Sequence, residues 1–374
     1  MRSFFKAIGA AIVIGGLHAG PIHADPPAET RGLADAMDEY FLVGAALAPV
    51  HYEGAQAQIV RQHFNAVVAE NYMKPVFLQP QEGVFEWQEA DRFVAFGEAH
   101  GMHITGHTLA WHRQIPDWLF IDQDGAEVSR QVLLDRMEAH ITAVMTRYKG
   151  RVHSWDVVNE AVLDTGEMRP SKFYEIIGPD WVEHMFRFAA AADPDAKLYY
   201  NDYLLNLPAK REAVFALVKS LQDQGVRVDG IGMQQHVTVN YPELNEIEAS
   251  ILQFAELGDV LVTELDVSIL PVPQSDFTAD VAKRFGISPE LNPYPDGLPP
   301  EQADAIDQRF VDLFQLYVKH ADKITRVTTW GVSDTHSWRN YWPIPGRTDY
   351  PLLFDRDLNP KPAIAHIISD VTEE

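Results

Sequence analysis

The sequence predicts an α/β fold, a single (β/α)8 TIM barrel, on three observations. Short segments rich in β-branched and aromatic residues alternate with helical segments, which implies a parallel sheet. The alternation occurs eight times, the number that closes a barrel, and 374 residues are a normal length for that fold. An open doubly wound sheet is the alternative. It would usually carry a glycine-rich loop after the first strand, and residues 45–52 contain no glycine.

The strand candidates are short and are bounded by turn-forming residues. They cover residues 41–48, 64–70, 103–111, 152–160, 197–203, 230–237, 260–267 and 327–334.

Helices are predicted between the strands. Apolar residues recur at helical spacing over residues 128–148, which predicts one long helix. Pro208, Pro242 and Pro300 each stand where a helix would begin, and proline is tolerated in the first turn. Residues 361–368 are predicted to form the last helix.

The N-terminus has the features of a secretory signal peptide. Arg2 and Lys6 precede an apolar run over residues 7–17, and small residues follow it. A short buried helix is the alternative, and the run is too short to span a bilayer. We expect a signal peptide over residues 1–24 and one catalytic barrel domain over residues 25–374, in a secreted or periplasmic protein.

Charge and cysteine content narrow the possible partners. The formal net charge of −24 repels nucleic acid and anionic membranes, so we expect no nucleic-acid partner and no membrane association after export. The chain has no cysteine, which excludes disulfides and thiolate metal sites. Nothing in the sequence indicates an assembly, so a monomer is expected.

Polar or aromatic residues stand at the end of nearly every predicted strand. In a barrel of this kind the reactive groups lie at the carboxyl ends of the strands. A barrel built only for stability has no need of such a rim, which therefore predicts a ligand site there. These strand-end residues are Glu70, Asn71, His107, Trp111, His112, Asn159, Glu160, Asn201, Asp202, Gln234, His236, Glu264, Asp266, Trp330 and Asp334.

Glu160 and Glu264 are the predicted catalytic pair. Hydrolysis of a glycosidic bond uses two carboxyl groups, one that protonates the leaving oxygen and one that attacks the anomeric carbon or activates water. Predicted strands four and seven lie across the barrel mouth from each other, which suits two groups that flank a sugar.

Several motifs carry a resemblance to a known family. Their order and spacing resemble glycoside hydrolase family 10, the xylanases, from about residue 40 to residue 366. The motifs are Glu70-Asn-Tyr-Met-Lys74, His107-Thr-Leu-Ala-Trp-His-Arg-Gln-Ile-Pro116, Trp155-Asp-Val-Val-Asn-Glu-Ala161, Tyr200-Asn-Asp-Tyr203, Gly232-Met-Gln-Gln-His236, Thr263-Glu-Leu-Asp-Val267 and Trp330-Gly-Val-Ser-Asp-Thr-His-Ser-Trp338.

The resemblance implies a secreted endo-1,4-β-xylanase that hydrolyses internal bonds of xylan and xylo-oligosaccharides with retention of configuration. Glu160 would be the acid/base and Glu264 the nucleophile, with no cofactor and no metal. Asn159 would contact the sugar 2-hydroxyl, and His236 would hold Glu264 ionised. The nearby nucleophile should raise the pKa of Glu160. The other implied sugar-binding residues are Glu70, Asn71, Lys74, His107, Trp111, Gln114, Gln234, Trp330 and Trp338.

Three features leave the family pattern or stay ambiguous. His336 stands where many relatives have glycine, which predicts crowding of one subsite. Residues 271–300 follow the predicted nucleophile strand and are expected to build a wall of the cleft. Arg347 is either a substrate contact or, as we favour, an ion-pair partner.

Other functions fit parts of the pattern. A β-1,4-glucanase would use the same catalytic pair. A metallohydrolase would use His103, His107 and His112, although the H-E-x-x-H helix signature is absent. A non-catalytic sugar-binding barrel would not need both glutamates.

Overall fold

A computed structural model of the protein describes residues 32–271 and 284–372. Its strands are all parallel, and the pairing of β6 with β8 and of β1 with β9 closes an eight-stranded barrel. The short β7 pairs with β8 beyond the end of β6. The strands are β1 (Leu42–Leu47), β2 (Ala66–Ala69), β3 (His103–Trp111), β4 (Ser154–Asn159), β5 (Lys197–Asp202), β6 (Gly230–Met233), β7 (His236–Thr238), β8 (Asp259–Ser268) and β9 (Ile324–Thr329).

Helices separate the strands along the chain and confirm the predicted (β/α)8 barrel. They are α1 (Leu33–Ala36), α2 (Gly54–His63), α3 (Pro75–Leu78), α4 (Gln88–Ala99), α5 (Arg130–Tyr148), α6 (Lys172–Ile177), α7 (Trp181–Ala192), α8 (Pro208–Asp223), α9 (Leu244–Phe254), α10 (Pro300–Lys319) and α11 (Pro362–Thr372). In the part of the chain that the structure describes, no helix is long and apolar enough to cross a membrane.

Two predicted strands differ from the structure by a break or by more than two residues at an end. The sixth is split into β6 and β7, because Gln235 has a φ of 61° that interrupts the extended backbone. The eighth begins earlier than predicted, at Ile324, and ends at Thr329. Trp330 and Asp334 therefore follow the last strand rather than belonging to it.

The predicted helix starts are confirmed at Pro208 and Pro300, which are the first residues of α8 and α10. The prediction for Pro242 is wrong. Glu243 is the N-cap of α9, and its backbone N–H donates to Glu246 Oε2 at 2.9 Å, so the helix begins at Leu244.

The long predicted helix is α5, which begins at Arg130. Ser129 caps it, because its Oγ accepts a hydrogen bond from the N–H of Val132 at 3.4 Å. The last helix is confirmed as α11, which extends beyond its predicted end at residue 368. The predicted signal peptide, residues 1–24, lies outside the described residues.

One close packing contact in the barrel wall fixes β3 against β4. Gly106 pairs with Trp155, whose indole is fully buried. A Cβ at Gly106 would lie 2.1 Å from a carbon of that ring. Glycine is thus required here because the indole occupies the space of a side chain.

Candidate active site

The structure brings all the predicted site residues together in one cleft of about 500 Å³. This volume lies within the range of small-molecule sites. The predicted residues that line it are Glu70, Asn71, Lys74, His107, Trp111, Gln114, Asn159, Glu160, Gln234, His236, Glu264, Trp330 and Trp338. Arg113, Arg284, His336, Tyr341 and Trp342, which were not in the predicted set, line it as well.

Glu160 directly follows β4 and has a φ of 59°. A non-glycine residue in this left-handed region carries backbone strain, which is common at functional sites. Its carboxyl is nearly buried and accepts hydrogen bonds from Trp111 Nε1 at 2.8 Å, Gln234 Nε2 at 3.0 Å and Asn159 Nδ2 at 3.3 Å. These donors fix both carboxyl oxygens.

Burial raises the pKa of Glu160, and the negative charge of Asp202 raises it further. The hydrogen bonds from Gln234 and Trp111 act in the opposite direction. The predicted direction of the shift therefore agrees with the structure, but its main causes are burial and Asp202 rather than the carboxylate of Glu264.

The backbone of Glu160 is also held on both sides. Its N–H donates to the carbonyl oxygen of Asn201 at 2.9 Å. Its own carbonyl oxygen accepts from Arg169 Nε at 2.9 Å, and Arg169 Nη2 donates to the Tyr203 hydroxyl at 2.9 Å. The strained conformation is thus fixed by hydrogen bonds from the neighbouring loop and strand.

Glu264 lies in β8 and is held by two different groups. Asn201 Nδ2 donates to its Oε1 at 2.8 Å, and His236 Nε2 lies 3.1 Å from its Oε2. Burial alone would raise the pKa of Glu264. The hydrogen bond from His236 and the charges of His107 and His236 outweigh that effect, so the pKa lies below its ordinary value. The side chain is a carboxylate at neutral pH.

Asp266 lies behind His236 and sets its charge. His236 Nδ1 lies 2.9 Å from Asp266 Oδ2. Burial opposes the positive charge of the ring, but Asp266 and Glu264 overcome it and raise the pKa of His236 to about 9. Asp266 also accepts from Trp338 Nε1 at 2.7 Å and from Arg339 Nη2 at 2.8 Å. The chain therefore supplies a fixed imidazolium beside Glu264.

Lys74 carries the positive charge on another side of the cleft. Its ammonium group donates to Gln114 Oε1 at 2.8 Å and to Asn71 Oδ1 at 3.1 Å. It lies 5.1 Å from the centre of the Trp111 ring. Burial lowers the pKa of Lys74 to about 8, against the attraction of Glu70, Glu264 and Glu160.

Aromatic rings form the walls around these polar groups. Trp330 makes an edge contact with His107, with the ring centres 5.2 Å apart, and His107 Nδ1 lies 2.8 Å from Asp156 Oδ2. Trp338 stacks on Trp342 at 4.7 Å. Indole faces next to amides and charged donors suit the apolar faces and hydroxyls of sugar rings.

The structure shows where the residues whose roles the sequence left open are placed. Arg347 is buried and pairs with Asp349 at 3.3 Å, which supports the ion-pair interpretation. Asp334 is fully buried and pairs with Lys361 at 2.9 Å, so this strand-end residue has a structural partner. His336 is exposed on the cleft wall. Of the segment 271–300, Arg284 lines the cleft, and residues 272–283 lie outside the described residues.

The histidines of the metallohydrolase alternative have separate partners. His103 Nε2 lies 3.1 Å from Ser154 Oγ, and His107 contacts Asp156. His112 makes an edge contact with the Trp111 ring. Within residues 32–271 and 284–372 there is no group of three or more His, Asp or Glu side chains that could hold a metal ion.

Sequence reasoning left four supporting residues out of the predicted site. Asn201, Asp202 and Asp266 were visible only as polar strand ends, a signal that does not say which group each one contacts. Arg339 lies 73 positions from Asp266 in the chain, and no local pattern connects them.

The surroundings of Glu160 and Glu264 displace their pKa values in opposite directions, the pattern expected of a proton donor beside an ionised carboxylate. At the carboxyl end of a (β/α)8 barrel, in a cleft lined with indoles and amides, such a carboxyl pair is typical of a glycoside hydrolase. The sequence profile of glycosyl hydrolase family 10 matches residues 32–370. The chain belongs to that family.

Known proteins resemble the chain over nearly its whole length. Endo-1,4-beta-xylanase A of Xylanibacter ruminicola is 49% identical over 340 residues, which are 90% of this chain and 92% of that protein. The solved structure of a family 10 endoxylanase retrieved from a sugarcane soil metagenome has a TM-score of 0.87 at 41% identity and covers 90% of this chain and 99% of that one. A mutant structure in complex with xylotriose has a TM-score of 0.81 at 35% identity, again covering 90% and 99%.

Proposed function

We propose that this glycoside hydrolase is a secreted endo-1,4-β-xylanase that cleaves internal bonds of xylan with retention of configuration. The position of Glu160 and Glu264 in one cleft lined with indoles and amides carries the catalytic assignment, and the opposite directions of their pKa shifts support it. The endoxylanase names of the relatives and the xylotriose bound to one structural neighbour support the substrate. Family membership supports retention.

In the first step Glu160 donates its proton to the glycosidic oxygen as the bond to the anomeric carbon breaks. Glu264 attacks that carbon and forms a glycosyl ester, and the shortened chain leaves as an alcohol. Asn201 and His236 hold the two oxygens of Glu264 before the attack, which limits the reorganisation that the reaction requires.

In the second step water replaces the leaving group. Esterification removes the negative charge of Glu264, and Glu160, now ionised, accepts a proton from the water as the water oxygen attacks the anomeric carbon. The ester bond breaks, Glu264 becomes a carboxylate again, and Glu160 regains its proton. Atoms and charge balance over the cycle, and the net reaction is hydrolysis.

The remaining cleft residues would bind the sugar chain. Asn159 stands next to Glu160, where a contact with the sugar 2-hydroxyl would strengthen in the transition state. Lys74, Asn71 and Gln114 already form one hydrogen-bonded group that can exchange partners with hydroxyls. Trp330 and Trp338 would close over the ring faces. The proposal includes a monomer, exported by residues 1–24, with xylan and xylo-oligosaccharides as its ligands.

Reducing-sugar release from xylan and from carboxymethylcellulose tests this function. We expect release from xylan, little from cellulose, and near-complete loss in Glu160→Gln and Glu264→Gln. Glu138→Gln, an exposed substitution on α5, is the matched control and should keep full activity. Retention would appear by NMR as β-anomers among the first products.

Each contrary result has a defined meaning. Activity on cellulose alone would make the protein a β-1,4-glucanase on the same scaffold. A catalytic variant that still hydrolysed natural xylan would show that the assigned pair is wrong. Analysis of the exported protein's N-terminus tests the signal peptide independently of the catalytic assignment.

A further inference from the structure

Asp202 is a fully buried carboxylate at the end of β5, and it is not among the residues that line the cleft. Its Oδ2 accepts a hydrogen bond from the Tyr200 hydroxyl at 2.6 Å. Its Oδ1 accepts from the N–H of Tyr203 at 2.9 Å and pairs with Lys210 Nζ at 2.9 Å. Lys210 is also fully buried and lies 3.4 Å from the centre of the Tyr203 ring. Such an ion pair is costly to bury, which makes its place beside the site informative.

Asp202 is connected to Glu160 through two routes of hydrogen bonds. The Tyr200 hydroxyl, which donates to Asp202, accepts from the N–H of Ala161, the residue after Glu160. The carbonyl oxygen of Asp202 accepts from the N–H of Gln234 at 3.0 Å, and the Gln234 side chain donates to Glu160. The first route ends at the backbone next to Glu160, and the second ends at the Glu160 carboxyl itself.

We infer that Asp202 is a positioning residue for the acid/base, and that its buried negative charge keeps the Glu160 carboxyl protonated before cleavage. The inference rests on the proposed function, because it assumes that Glu160 is the proton donor. Asp202 contacts no reacting atom in this assignment. It acts through the charge that it holds and through the residues that it fixes around Glu160.

The charges around Glu160 shift its pKa in opposite directions. Burial raises that pKa most, and the negative charge of Asp202 is the next largest cause. Arg169, bound to the Glu160 carbonyl, favours the ionised carboxyl. Lys74 across the cleft also interacts with Glu160. Without Asp202 the cations would favour early loss of the proton. The ionisable groups that interact with Glu160 are Lys74, Arg169, Asp202 and Tyr203, and His107, His236 and Glu264 line the same cleft.

The pH dependence of kcat/KM on a xylo-oligosaccharide tests this role. In Asp202→Asn, which keeps the shape of the side chain, we expect the basic limb of the profile to move to lower pH, because Glu160 would lose its proton earlier. Asp164→Asn is the matched control. Asp164 pairs with the same Lys210 at 3.1 Å, but its side chain is one-third exposed, and the basic limb of this variant should stay in place.

A second variant keeps the test valid if Asp202→Asn leaves Lys210 buried without its partner and fails to fold. Asp202→Asn with Lys210→Met removes both charges, and its basic limb should still move to lower pH. A folded variant with an unmoved basic limb, whether its activity is full or reduced, would overturn the inference. Loss of xylan hydrolysis in Glu160→Gln is a separate result, so failure of the proposed function can be told apart from failure of this inference.

Discussion

Nε2 of His236 lies 3.1 Å from Oε2 of Glu264, and the same ring faces Asp266 through Nδ1 at 2.9 Å. The imidazole is thus held between two carboxylates in a buried site. It is positively charged at neutral pH because its pKa is raised to about 9. The nucleophile proposed here is kept ionised by this ring, and the charge of the ring depends on Asp266.

Replacement of Asp266 by asparagine should make the proposed nucleophile, Glu264, harder to ionise. The pKa of His236 would fall, because Asp266 is the largest of the influences that raise it. A neutral ring no longer lowers the pKa of Glu264, so that pKa would rise and the acid limb of the kcat/KM profile would move to higher pH. Loss of a charge-assisted hydrogen bond predicts a roughly ten- to hundredfold lower kcat/KM at neutral pH.

Asp334→Asn is the control for that experiment. Asp334 is another buried aspartate that pairs with a cation, Lys361, and its loss should reduce stability without moving the acid limb. If both variants shifted the acid limb equally, the effect would come from general loosening of the loop and not from His236.

Trp111→Phe should shift the basic limb of the pH profile of kcat/KM. The indole N–H of Trp111 donates to Glu160 Oε2 at 2.8 Å and favours the ionised carboxyl. Phenylalanine keeps an aromatic ring but has no donor, so the pKa of Glu160 should rise and the basic limb should move to higher pH. This direction is opposite to that expected for Asp202→Asn. A shift of the same sign in both variants would contradict the electrostatic account of Glu160.

Much of the fold follows from local patterns, and the exceptions have physical causes. A β-rich segment predicts a strand, but glutamine gives no sign that Gln235 will adopt a φ of 61° and divide β6 from β7. Proline favours a first turn, but at Pro242 the following glutamates cap the helix instead.

In the site, too, the sequence predicted which residues are present but not which distant residues they contact. Motifs and strand ends identified most of the residues that line the cleft, because barrel strands deliver their final residues to one rim. They did not identify the influence of Asp202 on Glu160 or the contact of Arg339 with Asp266. Both depend on burial and on distances between chain segments that are far apart in sequence.

Lys74→Met tests whether the ammonium group of Lys74 contributes to sugar binding. Because burial lowers the pKa of Lys74 to about 8, its ammonium charge is present at neutral pH and is lost as the pH rises through that value. The affinity of the native enzyme for xylo-oligosaccharides should therefore weaken above pH 8. The variant should bind roughly ten- to hundredfold more weakly at pH 7, the value of a hydrogen bond from a charged donor, with little pH dependence.

Isothermal titration calorimetry in a Glu264→Gln background, chosen to prevent turnover, would measure this affinity directly. Because the charge of Glu264 helps to raise the pKa of Lys74, the loss of affinity should begin at a lower pH in this background than in the native enzyme. Lys197→Met is the control, since its ammonium group is half exposed and pairs with Asp259. Equal affinity in the native and Lys74→Met proteins across this pH range would remove Lys74 from the proposed binding residues.

Gly106→Ala should destabilise the barrel. The new methyl group would lie 2.1 Å from a carbon of the buried Trp155 ring, so β3 or the indole must move. Overpacking of this kind costs about 1–3 kcal/mol in the free energy of unfolding. Gly286→Ala is the matched substitution, because nothing lies within 4 Å of its added Cβ, and it should leave stability nearly unchanged. Chemical denaturation measures both, and equal stability of the two variants would show that the wall between β3 and β4 accommodates the methyl group.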